Sequence, residues 1–125
     1  MVLMSERASK ILKADGWLVA RTEQWVPAGG GGFRRDLYGW MDLMALKGGQ
    51  CLGIQACAMT GKGEHLEKMR DHKIRFAIDQ WTSCPGHRAE LWAFRKLRAR
   101  NKDGHLTQKW VWRHEVTDLG SPAIV

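Results

Sequence analysis

Three polar residues on two neighbouring apolar segments are the most chemically suggestive feature of this 125-residue chain. Asp42 stands inside a nearly unbroken apolar run, and Gln55 and Cys57 follow in the next apolar segment, two residues apart. Because side chains alternate along a strand, such a pair lies on one face. A carboxylate buried in a strand needs a cation, a network of donors or a metal ion.

Two interpretations of Asp42 follow from these residue types. One is a structural salt bridge to one of the 20 lysines and arginines. The other is a metal site, because Gln55 and the backbone beside it offer carbonyl oxygens, and oxygen ligands suit Mg²⁺. A bound Mg²⁺ ion can activate a water molecule and offset charge on a phosphodiester. The strand neighbours of Asp42 favour the metal site.

The elements that would position these residues alternate between helical and strand patterns. A helix begins near Ser5, which can cap it, and ends at Asp15-Gly16. The pattern as a whole predicts an α/β fold in which helices flank a mixed β-sheet, in the order α-β-β-β-α-β-β and as one domain over residues 1–125. The predicted ranges are a helix at 5–14, strands at 17–25, 37–46 and 51–58, a helix at 64–81, and strands at 89–97 and 108–116, with a glycine loop at 29–32 and a loose tail from 118.

The charge of the chain favours a polyanionic partner. The formal net charge is +7 and the isoelectric point is near 9.7, and excess lysine and arginine binds nucleic acid through counterion release. DNA is therefore the expected partner, although a basic protein without such a partner is the alternative. Some of the seven tryptophans could stack on bases, but most are expected in the core. The residues predicted to contact nucleic acid are Arg34, Arg35, Lys62, Lys73, Arg98 and Arg100.

Composition also excludes several classes of protein. No apolar run approaches the roughly 18 residues of a membrane span, so no membrane partner is expected. The first residues turn charged at once, which predicts no signal peptide and a cytoplasmic location. Three cysteines make a disulfide framework unfavourable. A zinc site from Cys84 and His87 with Cys51 and Cys57 matches no familiar spacing, and buried inert thiols are the favoured interpretation.

Three segments resemble the PD-(D/E)xK nuclease superfamily, and within it archaeal-type Holliday junction resolvases and small phage nucleases. Residues 5–21 resemble the resolvase opening, in which a helix bearing Glu6-Arg7 precedes a glycine and an aromatic strand. Met41-Asp42 resembles the Pro-Asp strand, and residues 53–57 fall where the (D/E)xK strand belongs. The resemblance covers roughly positions 5 to 95. It implies a restriction-endonuclease-like core and a Mg²⁺- or Mn²⁺-dependent endonuclease that cleaves DNA, including branched DNA. It also raises a homodimer as an expectation, because junction resolvases cut symmetrically.

The resemblance also implies roles for individual residues. Asp42 would be the main metal ligand, Gln55 would fill the second acidic position, and Glu6 would assist the metal from the helix. Cys57 stands where the family has its catalytic lysine, and a thiol supplies no positive charge. The nearest lysines that could replace it as catalytic residues are Lys62 and Lys68, and Asp36 is an additional acid.

The departure at Cys57 keeps a second function open. Without a lysine at the site, the chain would be a nuclease-fold protein that binds nucleic acid or a protein partner without cleaving.

Overall fold

The chain folds around one mixed sheet, and the computed structural model describes residues 3–120. Three helices and a 3₁₀ turn accompany the sheet, and a small hairpin pairs separately from it. In chain order the elements are α1 (Met4–Ala14), β1 (Leu18–Arg21), β2 (Gln24–Ala28), β3 (Gly31–Arg35), β4 (Leu43–Lys47), β5 (Gln50–Ala58), a 3₁₀ turn (Met59–Gly61), α2 (Lys62–Lys68), α3 (His72–Thr82), β6 (His87–Arg100) and β7 (Leu106–Asp118).

Five strands form the main sheet in the order β1-β4-β5-β6-β7. The pairs β1–β4, β4–β5 and β6–β7 are antiparallel, whereas β5 and β6 are parallel and are joined by the crossover through α2 and α3. The strands β2 and β3 pair only with each other. This arrangement confirms the predicted α/β class with a mixed sheet.

The two faces of the sheet carry separate cores. On the α1 face, Ala8 and Leu12 of the helix pack against a group that includes Ile54 and Phe94. On the opposite face, which we call the α3 face, Ile78 packs with Met41 and other residues. The central strand β5 serves both cores because its residues alternate between the faces. Ile54 lies on the α1 face and Cys57 on the α3 face, as predicted for this strand.

Two of the predicted strands are wrong in extent. The segment 17–25 is not one strand, because the chain turns at Thr22, whose hydroxyl donates to the Met41 carbonyl oxygen at 2.7 Å. The segment 37–46 is a strand only from Leu43 onward. Tyr38 has φ 56° and Gly39 has φ 79°, values that a strand cannot accommodate. Trp40 is buried there in a turn, so its apolar character reflects burial and not strand structure.

Other predicted boundaries also differ. The helix at 64–81 is two helices, because Asp71 adopts extended dihedrals and its side chain accepts hydrogen bonds from Lys73 N and Ile74 N at the start of α3. The glycine loop is the tip of the β2–β3 hairpin, in which Gly30 has φ 79°. The last two strands are longer than predicted. Of the predicted tail, Asp118 ends β7 and Leu119 is buried, while 121–125 lie outside the described residues.

Two further expectations concern apolar residues. Within residues 3–120, no helix combines the length and the apolar character needed to cross a membrane. The expectation that most tryptophans are core residues is only partly met. Trp40 and Trp92 are buried, but Trp25 and Trp110 are 62% and 54% exposed. Exposed tryptophans on a basic protein require an explanation other than core packing.

Candidate functional site

Three carboxylates converge at one end of the strand pair β4–β5. One carboxylate oxygen from each of Glu23, Asp36 and Asp42 lies within 4.8 Å of the others. Asp42 immediately precedes β4, Asp36 immediately follows β3, and Glu23 lies between β1 and β2. We call these three residues the acid cluster. Side chains from three separate turns therefore meet at one point of the fold.

Backbone hydrogen bonds hold Asp42 in place at the start of the inner strand β4. Its amide donates to the Ile54 carbonyl oxygen at 2.8 Å, and its own carbonyl oxygen accepts from Thr22 N at 2.9 Å. Its Oδ2 accepts hydrogen bonds from Gln55 Nε2 at 2.9 Å and from Ala56 N at 2.8 Å. With only 4% of Asp42 exposed, the side chain has a defined orientation. The structure thus brings together Asp42 and Gln55, the pair predicted from the sequence.

Burial and, after it, nearby like charges control the protonation of Asp42. Burial raises the pKa of this carboxyl from its ordinary 3.8 to about 9, helped by a hydrogen bond to Asp36 and by the charges of Asp36 and Glu23. The hydrogen bond from Ala56 N lowers the pKa and does not compensate. Two adjacent carboxyls of this kind share a proton or hold a cation. A cation bound at the acid cluster would therefore be stabilised by the nearby carboxylates.

Glu23 is the member that sequence reasoning missed. Its side chain is 10% exposed, and its Oε1 accepts from Ser5 Oγ at 3.1 Å and contacts Arg34 Nη1 at 3.3 Å. Glu6, predicted as the assisting acid, instead forms an ion pair with Arg21 at 3.2 Å and is not a member of the acid cluster. Arg21 Nη2 also lies 3.9 Å from Glu23. Arg21 and Arg34 therefore both lie beside the Glu23 carboxylate.

The position of Glu23 carried only a weak sequence signal. Thr22-Glu23 is a polar pair inside an otherwise strand-like segment. Such a pair is also common on the exposed face of a strand, so it did not distinguish a turn from a continuous strand.

One of the two predicted lysines reaches the cluster. Lys68 Nζ, at the end of α2, lies 3.7 Å from Asp36 Oδ2. Lys62 instead pairs with Glu115 on β7 at 2.9 Å. Cys57 is 5% exposed, and burial and the charge of Asp42 raise the pKa of its thiol. The thiol is therefore neutral near pH 7, and Lys68 contacts the acid cluster through Asp36, as Arg21 and Arg34 do through Glu23.

A histidine beside Lys68 is a further group that sequence reasoning missed. Burial and the charge of Lys68 lower the pKa of His65, against the opposing effect of Asp36, so its imidazole is neutral at pH 7. Its Nδ1 is buried without a hydrogen-bond partner within the described part of the chain.

The donor set of the cluster fits a hard divalent cation. Three carboxylates are available, and Gln55, 3% exposed, keeps its Oε1 buried without a hydrogen-bond partner among the described residues. An unpaired buried carbonyl oxygen is costly, and coordination of a cation would satisfy it. Carboxylate and amide oxygens are the ligands that Mg²⁺ and Mn²⁺ accept. No cysteine joins a group of metal-ligating side chains within residues 3–120, which gives the zinc alternative no support.

The predicted nucleic-acid-binding residues fall in four places. Arg34 and Arg35 lie on β3, beside the acid cluster. Lys73 is exposed on α3. Arg98 and Arg100 lie on the far part of β6, where both are exposed. Lys62 lies at the start of α2 in its ion pair with Glu115.

Comparison of the chain with protein-family models, with curated proteins and with solved structures found no match.

Proposed function

We propose that this chain is a metal-dependent endonuclease that hydrolyses DNA phosphodiester bonds. The observation that carries the proposal is the acid cluster, three carboxylates within 4.8 Å whose buried member, Asp42, has its pKa raised to about 9. A buried carboxyl with a strongly perturbed pKa, placed beside other carboxylates and an unpaired amide oxygen, is typical of a functional site. The net charge of +7 favours a polyanionic substrate.

The proposal includes a variant of the restriction-endonuclease-like core. The proposal is supported by the chain order of a helix, the strands β1, β4 and β5, a helical crossover and a parallel β6. The β2–β3 hairpin is an insertion in this scheme, and it supplies Asp36 at its end. The acidic strand and the strand of Gln55 are direct neighbours, which is the arrangement such a site needs.

Each residue has a separate role in the proposed reaction. Asp42, Asp36 and Glu23 would hold Mg²⁺ or Mn²⁺, with Gln55 Oε1 as a further oxygen donor. When bound, the ion would activate a water molecule and offset negative charge on the scissile phosphate. The Gln55 and Ala56 nitrogens orient the Asp42 carboxylate through the hydrogen bonds at 2.9 Å and 2.8 Å.

Lys68 provides the positive charge that Cys57 cannot provide. Its ammonium group lies 3.7 Å from Asp36 and can contact a phosphate oxygen on the substrate. In this scheme the lysine of the family pattern has moved from strand β5 to helix α2.

The test is a cleavage assay on plasmid and branched DNA with Mg²⁺, with Mn²⁺ and with EDTA. Wild type should cleave only with metal, and Asp42→Asn should lose activity by at least about 100-fold. Asp15→Asn, at an exposed carboxylate outside the cluster, is the matched control and should retain activity. Cleavage that persists in EDTA or survives Asp42→Asn would contradict the proposal.

A pair of lysine variants tests the role of α2. Lys68→Ala should reduce the cleavage rate by about 100-fold, a magnitude typical of removing one electrostatic contact. Lys62→Ala should have a much smaller effect because Lys62 contacts Glu115 and not the acid cluster. Equal losses in the two variants would show that Lys68 has no special role.

The neutral thiol of Cys57 favours a second candidate function, a nuclease-fold protein that binds nucleic acid without cleaving it. Under this alternative, wild type would bind DNA in a salt-dependent manner and cleave no substrate with Mg²⁺ or Mn²⁺. Binding would survive Asp42→Asn, because phosphate contacts depend on lysine and arginine.

A further inference from the structure

The far part of the β6–β7 hairpin extends past the end of β5 as a two-stranded ribbon, which we define as residues 95–113. Nearly every residue of this ribbon is exposed or half-buried, whereas residues 89–94 of the same strand are buried. The ribbon carries seven basic side chains, Arg95, Lys96, Arg98, Arg100, Lys102, Lys109 and Arg113, and a single acidic one, Asp103. About a third of the 20 lysines and arginines of the chain therefore lie on this one projection.

One face of the ribbon places cations directly opposite aromatic rings. Lys96 is paired in register with Trp112, and Arg98 is paired with Trp110. Because side chains alternate along each strand, these four share the α1 face with Phe94 and His114, which follow the same alternation. We call Lys96, Arg98, Trp110 and Trp112 the basic-aromatic stripe.

The inner end of the stripe continues into a hollow of about 340 Å³ beside α1. Arg7 and Lys10 of the helix line it together with Phe94, Trp112 and His114. The guanidinium carbon of Arg7 lies 3.7 Å from the Trp112 ring centroid, and Arg7 Nε is buried without a hydrogen-bond partner in residues 3–120. The pattern of cation beside ring thus extends from the ribbon to the helix.

The chemistry of the stripe selects its partner. Lysine and arginine favour phosphate, and exposed aromatic rings favour a planar group that can stack. A double helix keeps its base faces stacked and inaccessible, whereas single strands expose them. Trp110 is 54% exposed, whereas Trp112 is half-buried against the α1-face core and has the Arg7 guanidinium over its ring. Trp110 is therefore the ring of this pair that can receive a base.

We propose that the basic-aromatic stripe binds single-stranded nucleic acid, with Trp110 stacking on a base and Arg98 and Lys96 contacting phosphates. The stripe lies on the α1 face at the β7 side of the sheet, whereas Asp42 lies at the β4–β5 end. The two surfaces share no residue. This inference therefore goes beyond the proposed cleavage reaction and does not depend on it.

The experiment measures binding of a fluorescently labelled 15-nucleotide oligothymidine by anisotropy, in EDTA and at several salt concentrations. EDTA excludes metal-dependent cleavage, so the result is independent of the proposed nuclease activity. Trp110→Ala should weaken binding about fivefold or more, the lower range for loss of one stacked base. Arg98→Ala should reduce the slope of log affinity against log salt by about 0.7, the value for one phosphate contact on a single strand.

Two matched controls lie away from the stripe. Phe76→Ala removes an aromatic ring that is 65% exposed on α3, and Arg70→Ala removes an arginine whose side chain is 80% exposed. Both should bind the oligonucleotide as wild type does. Thermal unfolding of each variant establishes that it is folded.

Three results would overturn the proposal. The first is unchanged affinity and salt slope in both stripe variants. The second is an equal loss of affinity in the stripe variants and the controls. The third combines two measurements: sedimentation without oligonucleotide shows a dimer that Trp110→Ala converts to a monomer, and the oligonucleotide affinity of this variant is unchanged. That result would make the stripe a self-association surface.

Discussion

Replacing Asp42 by asparagine should make the stability of the protein less sensitive to pH. The pKa of Asp42 is raised from 3.8 to about 9 in the folded state. Between these values the folded protein keeps a proton that the unfolded chain has lost. Folding then takes up a proton, so the free energy of unfolding decreases as pH rises through this window. Asparagine cannot ionise, and its side-chain oxygen can still accept from Gln55 and Ala56.

The expected magnitude follows from the number of protons involved. One proton changes the free energy of unfolding by about 1.4 kcal/mol per pH unit. Between pH 5 and pH 8 the loss attributable to Asp42 is therefore at most about 4 kcal/mol. Part of the raised pKa of Asp42 is due to the hydrogen bond and the charge of Asp36, so the loss depends on that neighbour as well as on burial.

The assay is denaturant unfolding in EDTA at pH 5, 6, 7 and 8 for wild type, Asp42→Asn and the exposed-site control Asp15→Asn. The difference in the free energy of unfolding between wild type and Asp42→Asn should change steadily with pH. The difference between wild type and Asp15→Asn should not. Adding Mg²⁺ at pH 8 should stabilise wild type, by about 2.7 kcal/mol at 100 times the dissociation constant, and should leave Asp42→Asn nearly unchanged. Parallel pH profiles for wild type and Asp42→Asn would refute the reasoning.

Three further predictions test the surroundings of the site. Glu23→Gln should lower the pKa of Asp42, because it removes a neighbouring negative charge, and NMR titration of the Asp42 carboxyl carbon would measure the change. Gly53→Ala should lower the free energy of unfolding by about 1–3 kcal/mol, because a Cβ there would lie 2.6 Å from the Trp40 ring; denaturant titration provides the measurement. Tyr38→Asn should raise the melting temperature slightly, by the equivalent of about 0.5–1 kcal/mol, because asparagine tolerates the left-handed φ of 56° better than tyrosine does; a lower melting temperature would argue against this.

Local patterns in the sequence were sufficient to predict the central strands. The alternation in β5 placed Gln55 and Cys57 on one face, and the glycine pair at 48–49 placed β4 beside β5, so the contact between Asp42 and Gln55 could be expected. The charge of the ribbon was also visible in the sequence. These features depend on residues close together in the chain.

Features that depend on distant contacts could not be predicted in the same way. Trp40 and Met41 extend the apolar run of β4 backward, and only their burial in the α3-face core shows that they belong to a turn. Glu23 joins the acid cluster because Thr22 bonds to the Met41 carbonyl oxygen, a contact across 19 positions. Glu6 pairs with Arg21, a residue that is also distant from it in the sequence. Sequence spacing alone carries no information about such contacts.

The acid cluster and the outer hairpin lie in two separate parts of the chain, which the parallel pairing of β5 with β6 joins. The acid cluster and the side-chain hydrogen-bond partners of Asp42 belong to residues 23–56, whereas the ribbon begins at residue 95. An insertion, a deletion or an exchange of the hairpin tip at 101–105 would therefore change the outer surface without moving a carboxylate of the acid cluster. The fold permits its outer hairpin to diversify during evolution at a rate independent of the residues around Asp42.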